Sequence, residues 1–116
     1  MITLTGRIPS KKNSKMAIPI RGRCVLIPQK KFTDWHKVAM VQIAPFPVIL
    51  GKKLRLTFFL PDLRRTDLTN KAESIMDLLV DAGKIEDDNC QIINELTLRY
   101  GGVDRENPRV EIEEYA

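Results

Sequence analysis

The chain has 116 residues, a length typical of one domain, and its 43% of hydrophobic residues can form a single core. No apolar run reaches about 18 residues, which excludes a membrane-spanning helix. The first residues also lack the apolar centre of a signal peptide, so we expect a cytoplasmic protein. Its two cysteines, Cys24 and Cys90, belong to no zinc or redox pattern.

The net charge of +4 conceals a strong polarity along the chain. Residues 1–65 contain 14 basic and two acidic residues, a net charge of +12, whereas residues 66–116 contain five basic and 13 acidic residues, a net charge of −8. This distribution favours a polyanionic partner for the basic half. Because carboxylates repel phosphates, the acidic half then calls for a bridging cation.

The first half of the chain predicts three strands and one helix. Residues 2–8 alternate as a strand does, and residues 18–28 predict two short strands joined around Arg21. Apolar residues then recur at helical spacing over residues 31–44, where Thr33 is a candidate N-cap.

The second half predicts three strands around one well-defined helix. Residues 53–61, 91–100 and 109–115 alternate as strands, and the helix covers residues 68–82, with Gly83 just past its end. The order β-ββ-α-β-α-β-β predicts an α+β fold, in which two helices cover one face of a mixed sheet.

Polar residues dominate one side of the second helix. At about 100° per residue, Glu73 lies at the edge of this side, and the first turn favours phosphate and negative charge. Arg64 and Arg65 come immediately before the helix. The polar side comprises Asp67, Asn70, Ser74, Asp77 and Asp81.

A second acidic pair, Asp87-Asp88, lies in the loop after this helix. If strand 91–100 pairs beside strand 53–61, the chain folds back and brings this loop towards the helix. A carboxylate from each place could hold one Mg²⁺, or Mn²⁺, because hard cations prefer oxygen ligands. The ion would neutralise a scissile phosphate and lower the pKa of an attacking water.

The same acids also have ordinary structural explanations. Asp67 could cap the helix, the acids at positions 77 and 81 could belong to a solvated face, and Asp87-Asp88 could form a turn. His36, beside a tryptophan within a predicted helix, is better explained by packing or surface exposure than as a general base.

The segment DLTNKAESIMDLLVDAGKIEDDN resembles the RusA family of Holliday junction resolvases, in which D-x-D-N opens a helix and an Asp-Asp pair follows its end. The segment IPSKKNSK is similar to the family's Pro-Ser-x-Asn loop. The resemblance covers nearly the whole chain. It implies a RusA-like fold and a homodimeric, Mg²⁺-dependent endonuclease that cuts four-way DNA junctions in recombination and repair, as phage and prophage members do.

Position by position, the resemblance implies Asp67 and Asp88 as metal ligands, with Asp87 beside them and Asn70 as the motif asparagine. The sequence departs from the family at two places. Thr69 replaces the second motif acid, and the family's helix lysine falls at Glu73.

These departures leave two readings of Glu73. We hypothesise that Glu73 supplies the missing carboxylate and that Lys71 supplies the missing cation as an electrostatic stabiliser. Alternatively, Glu73 completes a capping box with Asn70.

The basic half predicts a phosphate-binding surface that recognises the shape and backbone of DNA, because no base-reading motif is present. A two-fold dimer would suit a junction with two equivalent strands. Residues 44–50 are a candidate dimer surface, and core packing explains their apolar character equally well. Two rivals remain: a branched-DNA-binding protein with an impaired active site, suggested by Thr69, and a basic RNA-binding protein. The candidate DNA contacts are Lys11, Lys12, Asn13, Lys15, Arg64, Arg65 and Asn70.

Overall fold

The computed structural model describes residues 1–10 and 15–115, without the side chains of Lys15 and Pro28. Eight elements follow one another in the order expected from the sequence. The strands are β1 (Ile2–Thr5), β2 (Lys15–Ile20), β3 (Arg23–Pro28), β4 (Lys53–Leu60), β5 (Glu95–Val103) and β6 (Arg109–Glu114), and the helices are α1 (Lys30–Ile43) and α2 (Leu68–Asp81).

Four of the strands form one mixed sheet in the order β1-β6-β4-β5. β4 and β5 are parallel, whereas β6 is antiparallel to both β1 and β4. Parallel neighbours need a crossover connection, and α2 lies in the segment that provides it. The architecture is therefore α+β with two helices and a mixed sheet, as predicted.

The core lies between one face of this sheet and the two helices. Alternation along β4 buries Leu54, Leu56 and Phe58 completely, and Val110 and Ile112 of β6 pair beside them on the same face. Each buried side chain of this size contributes about 1.5–3 kcal/mol to the free energy of unfolding. The helix residues of the core are Ala39, Ile43, Ala72, Ile75, Met76, Leu78 and Leu79.

The edge strand β5 contains a bulge that the sequence analysis missed. Tyr100 pairs with Phe58 and Gly102 pairs with Phe59, so Gly101 has no partner on β4. A Cβ atom at Gly101 would lie 2.7 Å from the Phe59 ring, so only glycine fits. The strand therefore continues to Val103, although we expected it to end at residue 100, and it begins at Glu95 rather than residue 91.

α2 ends as its sequence predicts. The Gly83 N–H donates to the Val80 carbonyl at 3.0 Å, and the Lys84 N–H donates to the Leu79 carbonyl at 2.8 Å. This pair of bonds is a Schellman motif, which needs a left-handed residue at its centre. Gly83 supplies it, with a φ of 69°.

α2 begins at Leu68 as expected and α1 begins one residue earlier than expected, but neither helix has the side-chain cap that the sequence predicts. α1 begins at Lys30, and Thr33 is an internal residue whose hydroxyl donates to the Lys30 carbonyl at 3.0 Å, so Thr33 is not the N-cap. α2 has Asp67 at its N-cap position, which places Asn70 inside the first turn. The predicted capping box that starts at Asn70 is therefore wrong.

β2 and β3 form a separate two-stranded ribbon joined at Arg21 and Gly22, which both have positive φ. This is the type I′ turn that suits the twist of a hairpin. Both faces of the ribbon are largely apolar, and Leu26 is 67% exposed. No helix within residues 1–10 and 15–115 is both long and apolar enough to span a membrane.

Candidate functional site

The site is built around α2, whose N-terminal end carries the first candidate ligand. Asp67 is exposed at the N-cap position and its side chain bonds no backbone N–H of the first turn. Its Oδ2 instead accepts a hydrogen bond from Asn70 Nδ2 at 3.3 Å. Asn70 therefore orients the Asp67 carboxylate rather than starting the helix.

A groove with a volume of about 530 Å³ lies between α2 and β5, and we call it the acidic groove. Its polar lining comes from Thr69, Glu73 and Asp77 on α2 and from Asp88 in the loop after the helix. The groove therefore brings Glu73 and Asp88 together, two of the residues that the sequence selected. Its apolar lining comprises Ala72, Met76, Ile93, Leu96 and Leu98.

Asp87 and Asp88 have different roles. Asp87 Oδ1 accepts a hydrogen bond from the Asp88 N–H at 2.8 Å, and its Oδ2 accepts one from Asn89 Nδ2 at 3.1 Å. The backbone bond from Asp88 lowers the pKa of Asp87 most, and the Asn89 amide lowers it further. Asp87 thus shapes the turn, and Asp88 is the member of the pair that lines the groove.

Asp67 and Asp87 do not line this groove. Within the described ranges, no three His, Cys, Asp or Glu side chains form a group that could hold a metal ion. The groove therefore presents acids from two separate parts of the chain, but it contains no preformed three-carboxylate cage.

Lys71 lies in a different environment from the acids. It is 7% exposed, and its Nζ donates a hydrogen bond to the Ile8 carbonyl in the loop after β1. Burial lowers the pKa of Lys71, and the nearby charge of Arg7 lowers it further. Lys71 lines two cavities that it shares with Arg7, and it does not line the acidic groove.

An ion-pair cluster lies before α2. Asp62 accepts hydrogen bonds from the guanidinium groups of Arg64 and Arg7, and these bonds hold the pKa of Asp62 well below its usual range, with Arg64 as the larger cause. Arg64 and Arg65 are both exposed, as expected for candidate DNA contacts. Neither Arg7 nor Asp62 was predicted from the sequence, because only the fold brings residue 7 beside residue 62.

The structure does not describe four of the candidate DNA contacts. Lys11, Lys12 and Asn13 lie outside the described residues, as does the side chain of Lys15.

Two residues assigned to the polar side of α2 contact other segments. Ser74 is fully buried, and its Oγ donates to the Pro9 carbonyl at 2.7 Å, so it does not share the exposure of the acids with which helical spacing groups it. Asp81 bonds His36 Nε2 at 2.9 Å, and this contact ties α2 to α1. Neither His36 nor Asp81 lines the acidic groove.

No protein-family model matches the sequence, and no curated protein matches it.

Proposed function

We propose that this chain is a Mg²⁺-dependent endodeoxyribonuclease that resolves branched DNA such as the Holliday junction, in the manner of the RusA family. The observation that carries the proposal is that Glu73 and Asp88 line one groove although they belong to a helix and a distant loop. A basic surface next to these acids would hold the phosphates that the acids alone would repel.

The donor chemistry of the groove suits Mg²⁺, or Mn²⁺. All candidate ligands are carboxylate oxygens, and Mg²⁺ is commonly held by one or two carboxylates together with waters and substrate phosphate. We assign Glu73 and Asp88 as the ligands within the groove, whereas Asp67, which Asn70 orients at the start of the helix, lies outside its lining. When bound, the ion would polarise the phosphate and lower the pKa of a bound water.

The protein's own residues would position the strand. Arg65, which makes no ion pair among the described residues, is available to a backbone phosphate, whereas Arg64 is held by Asp62. Asp87 would keep the loop in the shape that turns Asp88 towards the groove. Lys71 lines two cavities that are separate from the acidic groove. It would therefore hold the loop after β1 and bind a phosphate away from the reacting bond.

A homodimer is part of the proposal, because two equivalent active sites suit the two equivalent strands of a four-way junction. Within the candidate surface 44–50, Leu50 is 89% exposed and Val48 is 54% exposed, whereas Ile49 is buried. Two exposed aliphatic side chains around a buried anchor support this segment as a contact between protomers.

The direct test is cleavage of a synthetic four-way junction with Mg²⁺ by the wild type and by Asp88→Asn and Glu73→Gln. Each substitution is expected to reduce the rate at least about 100-fold, because even outer-shell partners of metal ligands typically contribute 10–100-fold. Glu86→Gln is the matched control, since Glu86 is exposed in the same loop and does not line the groove. Normal cutting by both groove variants would overturn the ligand assignment.

The second candidate is a branched-DNA-binding protein without cleavage activity. Thr69 favours it, because this residue lines the groove where the family pattern has an acid. Wild-type protein that binds the junction but never nicks it, with Mg²⁺ or Mn²⁺, would select this alternative. Competition between the junction and duplex RNA separates both from a basic RNA-binding protein.

A further inference from the structure

A second cavity, of about 430 Å³, lies on the other side of α2 from the acidic groove. It is formed by the loop after β1, the N-terminal end of α1 and Lys71 of α2. Among the described residues no carboxylate lines it, and Lys31, Lys71 and Arg7 contribute positive charges, of which the Arg7 guanidinium also pairs with Asp62 outside the cavity lining. Residues 1–33 contain eight basic residues and no acid, so this part of the chain favours an anionic partner.

The end of α1 that borders the cavity lacks the groups that normally stabilise a helix start. Gln29 is at the N-cap position without a side-chain hydrogen bond to the helix, and the first turn contains no acid. The first N–H groups of a helix have no partner within it, and the helix dipole makes this end positive. Lys30 and Lys31 add two cations there, where a helix disfavours them. A bound anion would relieve both defects.

An independent observation comes from Ser10, which lines the same cavity. Its Oγ is buried and has no hydrogen-bond partner among the described residues. A buried hydroxyl without a partner costs about 1–3 kcal/mol, so a ligand that accepts a hydrogen bond from it is expected. The loop that carries Ser10 is fixed by α2, through Lys71 to the Ile8 carbonyl and Ser74 to the Pro9 carbonyl.

The set of donors suits a phosphate better than a carboxylate. A guanidinium, which also pairs with Asp62, ammonium groups and a hydroxyl line the cavity, and the start of α1 borders it. A phosphate presents several acceptor oxygens to such a set, whereas a carboxylate presents two. The cavity is also larger than a phosphate, which leaves space for the attached sugar.

We propose that this cavity is a phosphate-binding site, defined by Arg7, Ser10, Lys31, Lys71 and the start of α1, which holds a backbone phosphate of a DNA strand bound by the protein. The proposal rests on the proposed function for the choice of DNA as the source of the phosphate. The site would anchor the strand on the side of α2 opposite the acidic groove, away from the bond that is cut.

The test is a titration of the full-length protein followed by ¹H–¹⁵N NMR in EDTA, where no metal-dependent cleavage occurs. The probes are inorganic phosphate, thymidine 5′-monophosphate and a six-nucleotide oligothymidylate. The amide signals of Ser10 and Lys31 are expected to shift saturably with each probe. Tightest binding by the oligonucleotide identifies a strand phosphate, whereas tightest binding by the mononucleotide would overturn the assignment to DNA and leave a free-nucleotide site.

Ser10→Ala and Lys31→Gln are each expected to weaken oligonucleotide binding about tenfold, the value of one hydrogen bond to a charged group. The matched control is Lys37→Gln, a loss of one exposed cation further along α1. The site would be overturned in favour of a diffuse basic surface by either of two results. One is an equal loss of oligonucleotide affinity in Lys31→Gln and Lys37→Gln, and the other is an unchanged affinity in Ser10→Ala.

A loss of binding in Ser10→Ala would not come from unfolding. The substitution removes an unpaired buried group, so the Tm without ligand is expected to stay the same or rise. Phosphate should raise the Tm of the wild type more than that of Ser10→Ala. The outcome is also separable from the proposed nuclease activity. Saturable phosphate binding without junction cleavage would contradict the nuclease alone, and cleavage with unchanged affinity in Ser10→Ala would contradict this site alone.

Discussion

Lys71, near the start of the chain's acidic half, donates a buried hydrogen bond to the backbone carbonyl of Ile8, 63 residues away in sequence. A lysine buried to this extent normally costs stability, and its pKa is lowered accordingly. The contact ties the loop after β1 to the helix that carries the candidate active site. Lys71 therefore has a structural role besides any role in binding phosphate.

The first prediction concerns this contact. Lys71→Met should lower the free energy of unfolding by about 1–3 kcal/mol, because the Ile8 carbonyl loses its partner in a buried position. Urea denaturation of wild type and variant measures the difference. Lys37→Met, at an exposed position, should stay within about 0.5 kcal/mol of the wild type. A variant at Lys71 as stable as this control would show that the hydrogen bond contributes nothing.

The second prediction is a pH dependence at Asp62. Its pKa in the folded protein lies below the ordinary value of 3.8, so the unfolded chain takes up the proton first as the pH falls. Asp62 therefore stabilises the fold above about pH 3.8 and loses this effect as the pH falls below it. Asp62→Asn should have a lower Tm than the wild type at pH 7, and the difference should shrink below pH 3.8.

NMR titration of the Asp62 carboxyl provides the control for this interpretation. Arg64 is the largest cause of the lowered pKa, so Arg64→Gln should move the pKa of Asp62 upwards, towards 3.8. An unchanged titration in Arg64→Gln would assign the effect to Arg7 instead.

The third prediction tests the bulge in β5. Gly101→Ala should destabilise the protein by about 1–3 kcal/mol, because the added methyl group meets the Phe59 ring at 2.7 Å. The ring cannot move freely, since the Arg109 guanidinium lies 3.8 Å from its centre. Phe59→Leu makes space, so the double variant should be more stable than the sum of the single effects allows. Strict additivity in thermal or urea unfolding would contradict the proposed clash.

The fourth prediction concerns the salt dependence of DNA binding in EDTA. Junction affinity should fall steeply between about 50 and 200 mM salt, and Arg65→Gln should reduce the slope of log affinity against log salt by about 0.9, the value of one phosphate contact. Arg64→Gln should change the slope less, because Asp62 already pairs with Arg64. Fluorescence anisotropy measures both. A larger effect for Arg64 than for Arg65 would contradict this division.

Local sequence patterns predicted the helices and strands well, because strand alternation and helix ends are determined by neighbouring residues. The alternation of Leu54, Leu56 and Phe58 defined β4, and Gly83 marked the end of α2. The side-chain cap of α2 was predicted less well, because several polar residues compete for it and the residue at the N-cap position, Asp67, makes no side-chain cap bond.

The candidate site was less predictable, because it depends on contacts between distant segments. Helical geometry placed Ser74 with the acids, but the docking of Pro9 against α2 buries it. The two aspartates of the 87–88 pair look alike in sequence, and only the folded loop distinguishes the turn-forming Asp87 from the groove-lining Asp88. Arg7 carried no signal, because its partner Asp62 is distant in the chain.

The ribbon of β2 and β3 belongs to a sheet of its own, and a two-stranded hairpin is marginally stable in isolation. Its local opening therefore need not follow the global unfolding of the main sheet. In native-state deuterium exchange, the ribbon amide of Val25 should exchange long before that of Leu56 at the centre of the main sheet. The ribbon could accordingly be lengthened, shortened or nicked by a protease while the rest of the domain stays folded.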